Sequence, residues 1–177
     1  MALYLRSHTP IFSEVPKRVL HVAPEKPVAD LITSIPRISY LSADLSGKNV
    51  MVKMDLTDIQ YEDGHFDLII CSHVLEHIPD DRLAMREMFR VLAPQGLAVI
   101  QVPVYGAETY EDFSIDTDEG RLAAFGQKDH VRKYGEDIGL RLQDSGFEVT
   151  VMRNPSDRSI CHRLGLKPSP IFDCRKH

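Results

Sequence analysis

Hydrophobic positions are densest between Phe66 and Val102, and their spacing changes twice within that stretch. Phe66 to Cys71 is a short apolar run rich in Leu and Ile, the pattern of a strand covered on both faces. Ser72, His73, Glu76 and His77 follow, where such a strand would deliver side chains to a crevice. Asp80 is placed to cap a helix running to about Leu92, with Ala84, Met88, Val91 and Leu92 on one face. Ala93-Pro94-Gln95-Gly96 has the chemistry of a tight turn, and Leu97 to Val102 reads as a second buried strand. Strand, helix and strand in this order form a crossover that lays both strands parallel in one sheet.

The pattern alternates in the same way on either side. Arg18 to Val22 predicts the first strand, Pro27 to about Ser34 a helix entered through its proline, and Ile38 to Ser42 the second strand. Val50 to Met54 predicts a third. Asp58 to Gly64 reads as a loop into the central unit, and Tyr134 to Ser145 as a helix stopped by Gly146. Phe147 to Met152 is a strand, Pro155 to Pro170 a loop, and Ile171 to Cys174 a short final strand at the sheet's edge. Residues 1–17 have little periodicity and read as an irregular arm, the alternative being a helix that lids a ligand site. The sum is a single α/β domain over residues 1–177, a mostly parallel sheet with helices on both faces. One place resists. Asp44 and Asp55 are too close for a helical crossover of a dozen or more residues, so the sheet is expected to be reduced between strands two and three.

With 177 residues, 43% of them hydrophobic and 27% charged, the chain is long enough to bury a full core. Its formal net charge of −5 argues against nonspecific binding to nucleic acid or anionic membrane. Three widely spaced cysteines suit reduced thiols more than a disulfide framework. With no leader-like or membrane-length apolar run, a cytoplasmic setting is expected. The long mixed segment from Tyr105 to Lys133 is unusual for a compact domain and reads as a functional insertion (104–133) on the substrate side.

Phe66-Asp67-Leu68-Ile69, then Val74-Leu75-Glu76-His77-Ile78, then Glu87 with Arg90-Val91-Leu92, then Pro94 with Gly96 stand in a set order. In that order and spacing the chain resembles the class I S-adenosylmethionine-dependent methyltransferases, specifically the broad type 11 group. The resemblance implies a Rossmann-like methyltransferase fold, S-adenosylmethionine as cofactor, and transfer of its methyl group to an acceptor the sequence does not identify. It also implies a site at the carboxyl ends of the strands. Asp44 would accept from a ribose diol, Asp55 would take the family position for the adenine amino group, and Leu56 would add an apolar face. Cys71, Ser72 and His73 would line the crevice. The first loop, His21-Val22-Ala23-Pro24-Glu25, departs from the family's glycine-rich turn. It resembles a small subgroup with H-x-A-P-E here, in which Ala23 allows close approach and Glu25 faces the cofactor's ammonium. The missing glycines keep open an alternative, a methyltransferase-like binding or regulatory module without activity.

For catalysis the candidates are His77, near the reacting methyl, and the Asp129-His130-Val131-Arg132-Lys133-Tyr134 stretch, similar to a D-H-V-R-x-Y segment of the same group. There His130 would serve as base and Tyr134 or Arg132 as orienting donors; helix capping and a surface ion pair are the plain alternative. His73-Val74-Leu75-Glu76-His77 also fits H-x-x-E-H, a zinc-protease pattern, but Pro79 would stop the required helix, so no metal is expected. Cys161-His162 and Cys174 with His177 fit no zinc spacing.

Overall fold

The computed structural model of the chain describes residues 1–13, 15, 17–152 and 170–177. The expected loop from Pro155 to residue 169 and the Cys161-His162 pair lie outside the described residues. Seven strands form one sheet in the order β3-β2-β1-β4-β5-β9-β8. The strands are β1 (Lys17–Val22), β2 (Ile38–Asp44), β3 (Val52–Lys53), β4 (Phe66–Ser72), β5 (Leu92–Gln101), β8 (Glu148–Met152) and β9 (Ile171–Arg175). The central pairs β1–β2, β1–β4 and β4–β5 are parallel, and β9 runs antiparallel to both β5 and β8. A two-stranded ribbon, β6 (Tyr110–Glu111) with β7 (Arg132–Lys133), closes the segment 104–133 around α4 (Asp118–Phe125).

Successive residues of the central strands feed two separate cores. Leu20, Val22, Ile69, Cys71, Ala98 and Ile100 pack with Met85 and Met88 of α3 (Asp81–Val91) and with Ile138 and Leu142 of α5 (Ile138–Asp144). Val19, Leu68, Ile70, Leu97 and Val99 face the other way, onto Val28 and Ile32 of α2 (Lys26–Thr33). Burial on both faces is why these strands read as continuous apolar runs instead of alternating ones.

Several charged residues of the central motifs turn out to tie strands and loops together. Asp67 accepts from the backbone N–H of Arg18 at 2.7 Å and pairs with its guanidinium, fixing β4 beside β1. Glu87 and Arg90 are joined by two 2.7 Å hydrogen bonds, and Arg90 donates to the carbonyls of Ile59 and Tyr61 at 2.8 Å. Together they clasp the loop that leads from β3 into β4. Asp80 caps α3, accepting from Leu83 N–H at 2.9 Å.

The sequence reading is corrected in four places. The first part of the expected irregular arm is helical: α1 (Ala2–His8) buries Tyr4 and Leu5 in the second core, and Tyr4 donates to Asp173 at 2.5 Å. β9 is not an edge strand; it sits between β5 and β8. The helix expected from Tyr134 begins only at Ile138, because Tyr134 bridges to Val104 and its carbonyl accepts from Tyr105 N–H at 2.7 Å. The turn at Ala93–Gly96 is a bulge carried within β5, where Gly96 is required: an added Cβ would meet Ala93 O at 2.7 Å. The expected reduction holds, since no helix separates β2 from the two-residue β3. Among the described residues no helix is long and apolar enough to cross a membrane.

Candidate active site

Strand order reverses between β1 and β4, and in open α/β sheets the crevice outside the carboxyl ends at that point is where ligands bind. A cavity of about 600 Å³ lies there, within the roughly 300–1,000 Å³ usual for small-molecule sites. Val22 and Ala23 line it from the end of β1, and Asp44 from the end of β2. Asp55, Leu56 and Thr57 line it after β3, and His73 and His77 after β4.

The two aspartates are built alike. Asp44 Oδ1 accepts from the N–H of Ser46 at 2.7 Å and from its hydroxyl. Asp55 Oδ1 accepts from the N–H and hydroxyl of Thr57, at 2.8 and 2.7 Å, and these bonds hold its carboxyl below the usual range. Each therefore spends one oxygen on its own loop, and among the described residues Oδ2 makes no hydrogen bond. A fixed carboxylate with a free oxygen facing a cavity is a ready acceptor for a diol or an amino group.

The glycine-free loop achieves the left-handed turn without glycine. Ala23 sits at φ +44°, anchored by its N–H to Ala43 O at 2.8 Å, and His73 across the cavity sits at φ +54°. A non-glycine residue in this region is uncommon and costly, and such strain concentrates at functional sites. His21 does not reach the cavity. It is fully buried, with Nδ1 against the Tyr40 hydroxyl and Nε2 against Glu25 Oε2, both at 3.1 Å. It orients Glu25, whose half-exposed carboxylate stands behind the lining; burial opposes its ionisation, but the hydrogen bond from His21 prevails and lowers its pKa.

Cys71 and Ser72 also fall short of the crevice wall. Cys71 is in the core, where burial pushes its thiol far up, and Ser72 Oγ is buried on the side of Glu25. Tyr134 is fully buried, donating to Asp81 at 2.5 Å and to Leu75 O at 3.3 Å, so it cannot meet an acceptor. Arg132 is likewise enclosed. Its guanidinium donates to the carbonyls of Leu75, Ile78 and Pro79 and to Glu111, clamping the Val74–Pro79 turn against the segment 104–133. A shallower hollow of about 470 Å³ above this clamp is lined by Asp81, Glu111, Arg132 and Arg141, charges that already pair with one another.

The same segment also delivers His130, buried and perpendicular to the His77 ring with centroids 4.6 Å apart. Burial, and then the neighbouring His77, hold the His130 imidazole below its ordinary pKa. His77 Nδ1 lies 3.2 Å from Asp129 O and 3.4 Å from Asp129 Oδ2. His73 Nδ1 faces Glu76 Oε1 at 3.3 Å, and that hydrogen bond raises its pKa. Sequence reasoning placed Glu76 at the crevice without foreseeing its burial, and it missed Thr57 as a site member. A hydroxyl two residues after an aspartate at a strand end was the readable signal for Thr57; no pattern announces burial of a turn glutamate.

A methyltransferase-domain family model matches residues 25–100. The match begins at Glu25, directly after the glycine-free turn, and ends in β5. Among curated proteins, the ubiquinone/menaquinone biosynthesis C-methyltransferase of Ectopseudomonas mendocina (strain ymp) is 25% identical over 80% of this chain and 61% of its own length. The malonyl-[acyl-carrier protein] O-methyltransferase of Halorhodospira halophila is 29% identical over 58% of this chain and 33% of its own. The chain thus spans less than two thirds of the length of these relatives. An S-adenosylmethionine-dependent methyltransferase structure from Mesorhizobium loti shares the fold with TM-score 0.69 and 18% identity, over 98% of this chain and 96% of that one. With the motifs in order, the fold matched over nearly the whole chain and the crevice at the expected strand ends, the chain is similar to the S-adenosylmethionine-dependent methyltransferases in fold and, over residues 25–100, matches a methyltransferase domain in sequence.

Proposed function

We propose that this chain transfers a methyl group from S-adenosylmethionine to an acceptor held beside His77. The observation that carries the reading is the pair Asp44 and Asp55, each pinned through one oxygen and free at the other, on a cavity at the sheet's switch point. The cofactor supplies a methyl group already activated on a sulfonium sulfur. Asp44 Oδ2 accepts from its ribose hydroxyls, Asp55 Oδ2 from its adenine amino group, and Leu56 packs on the base. Glu25, oriented by His21, attracts the ammonium of the methionine end. Ala23 turns left-handed so that the backbone, and not a side chain, meets the ligand.

Such a transfer rests on alignment more than on strong acids or bases. His77 and His130 form the acceptor side, and the 104–133 insertion is the wall that carries the second of them. The relatives' names cover carbon and oxygen acceptors, so the acceptor atom is not inherited from them. The described cysteines, Cys71 and Cys174, are buried free thiols, which supports a reducing, cytoplasmic setting.

Isothermal titration with S-adenosylhomocysteine tests the reading. Saturable binding is expected. Asparagine at Asp44 or Asp55 keeps the oxygen that holds the loop and converts the free one to a donor. Asp44→Asn and Asp55→Asn are therefore each expected to weaken binding about tenfold or more, roughly 1.4 kcal/mol. Absence of heat at millimolar ligand with folded protein, or unchanged affinity in both variants, overturns the assignment.

A further inference from the structure

Methyl transfer by alignment asks for no acid, base or ligating group, yet three such side chains gather where His77 lines the cavity. Glu76, His77 and His130 each offer a ligating atom, and these atoms all lie within 4.8 Å of one another. Glu76 is only 2% exposed, and its Oε2 is buried without a hydrogen-bond donor among the described residues. A buried carboxylate oxygen left unpaired is costly and demands a cation or a proton. His130 is 3% exposed, and among the described residues its ring nitrogens make no hydrogen bond; its ring contact is with His77.

We propose that Glu76, His77 and His130 form a site for one divalent transition-metal ion, of which Zn²⁺ and Co²⁺ are representatives, opening toward the cavity so that an oxygen or sulfur atom of the methyl acceptor completes its coordination. The acceptor half of this proposal rests on the methyl-transfer reading; the metal half does not.

Two imidazoles and one carboxylate suit this class of ion, and three protein ligands leave positions open for water or substrate. Points no more than 4.8 Å apart share a centre within about 2.8 Å of each. Bonds to such metals are about 2.0–2.2 Å, so closing the site asks each side chain to move by at most about 0.6–0.8 Å. The surroundings supply the outer support that metal-bound histidines and carboxylates need. His77 Nδ1 faces Asp129, which leaves Nε2 to coordinate, and the other Glu76 oxygen is held by His73 at 3.3 Å. The two segments that bring the ligands are joined by Val131 N–H to Glu76 O at 3.0 Å and by the Arg132 clamp.

This is not the arrangement the H-x-x-E-H pattern suggests. His73 is half exposed and not one of the three, residues 75–77 form a 3-10 turn instead of a helix, and the third ligand comes from the insertion. On coordination the acceptor displaces a water and releases its proton to solvent. The bond it then forms to the methyl carbon replaces the bond from that carbon to sulfur, whose electron pair stays on the sulfur. The acceptor class is a hydroxyl or a thiol able to bind a metal ion.

Chelator-treated protein is titrated with Co²⁺ alone, following visible d–d absorption and stoichiometry by equilibrium dialysis. One ion per chain is expected, with the intensity of a low-coordinate site. Glu76→Gln and His130→Asn are each expected to weaken binding about 30-fold or more, in line with the 10–100-fold costs typical of disturbed metal sites. His73→Ala is expected to weaken it far less. Circular dichroism and thermal midpoints accompany each variant; if Glu76→Gln fails to fold, His130→Asn carries the test. No saturable absorption below millimolar Co²⁺, or affinity unchanged in folded His130→Asn, overturns the site. S-adenosylhomocysteine titrations of the metal-free protein run in parallel: binding there together with a failed Co²⁺ titration sinks the metal site alone, whereas a sound Co²⁺ site without nucleoside binding sinks the methyl-transfer reading alone.

Discussion

Arg132→Ala separates the clamp read from the structure from the orienting donor suggested by the sequence. The side chain is fully buried, and its truncation strands the carbonyls of Leu75, Ile78 and Pro79. It also removes one of the two guanidinium partners of Asp81 and Glu111. Removing one member of a buried pair costs about 3–5 kcal/mol. Arg141 remains, 3.3 Å from Asp81 and 3.0 Å from Glu111, so the lower end applies. A loss of about 3 kcal/mol corresponds to roughly 6–12 °C in Tm for a chain of this size. Urea unfolding followed by circular dichroism measures it, with the denaturant slope unchanged if the native state is otherwise intact. Lysine keeps the charge, but one ammonium cannot span three carbonyls and a carboxylate. Arg132→Lys is therefore expected to recover less than half of the loss. A cost below about 1 kcal/mol for alanine, or full recovery by lysine, refutes the clamp.

Ala23→Gly relieves a left-handed alanine, worth about 1–2 kcal/mol, against a glycine entropy cost of about 0.5–1 kcal/mol. A gain of up to about 1.5 kcal/mol in urea unfolding is expected, and a net loss counts against strain at φ +44°. Glu87 is held below the ordinary glutamate pKa by its hydrogen bonds from Arg90. A group whose folded pKa is depressed adds stability above its unfolded pKa and loses it as pH falls through the folded one. The stability of the native chain is thus expected to fall more steeply than that of Glu87→Gln between about pH 5 and 3; parallel acid limbs would contradict the pairing. Gly135→Ala would set a Cβ 2.3 Å from the Glu108 carbonyl carbon and 2.5 Å from Glu108 N. Hydrogen exchange is expected to speed up through residues 105–111, with about 1–3 kcal/mol lost overall; unchanged protection there would mean the segment is not seated on Gly135.

The sheet was legible because its central strands are buried on both faces, which leaves a dense apolar signature at Phe66–Cys71 and Leu97–Val102. The missing crossover helix was legible from the short distance between Asp44 and Asp55. What escaped was decided by contacts remote in sequence. α1 is only seven residues long and is held by Tyr4 reaching Asp173. The interior position of β9 depends on pairing with β5 across some 70 residues, which no local pattern encodes. At the site, Asp44, Asp55, Val22, Ala23, Leu56, His73 and His77 could be placed on the cavity from the strand ends together with the family resemblance. His21, Cys71, Ser72 and Tyr134 could not, since a strand end fixes which residues are near a crevice but not which way each side chain turns.

The residues that carry the family resemblance are for the most part not those that would touch a ligand. Asp67 ties β1 to β4, Glu87 and Arg90 clasp the entry loop, Asp80 caps α3, and Gly96 allows the bulge in β5. Arg132 clamps the turn that carries Glu76 and His77. Each supports the cavity wall, and of these side chains only Asp80 lines the cavity itself. A motif set of this kind therefore reports the crevice and says little about which acceptor the proposed transfer would use. That information has to reside where the motifs are silent, in the segment from 104 to 133, which supplies Asp129 and sets His130 beside His77 and Glu76.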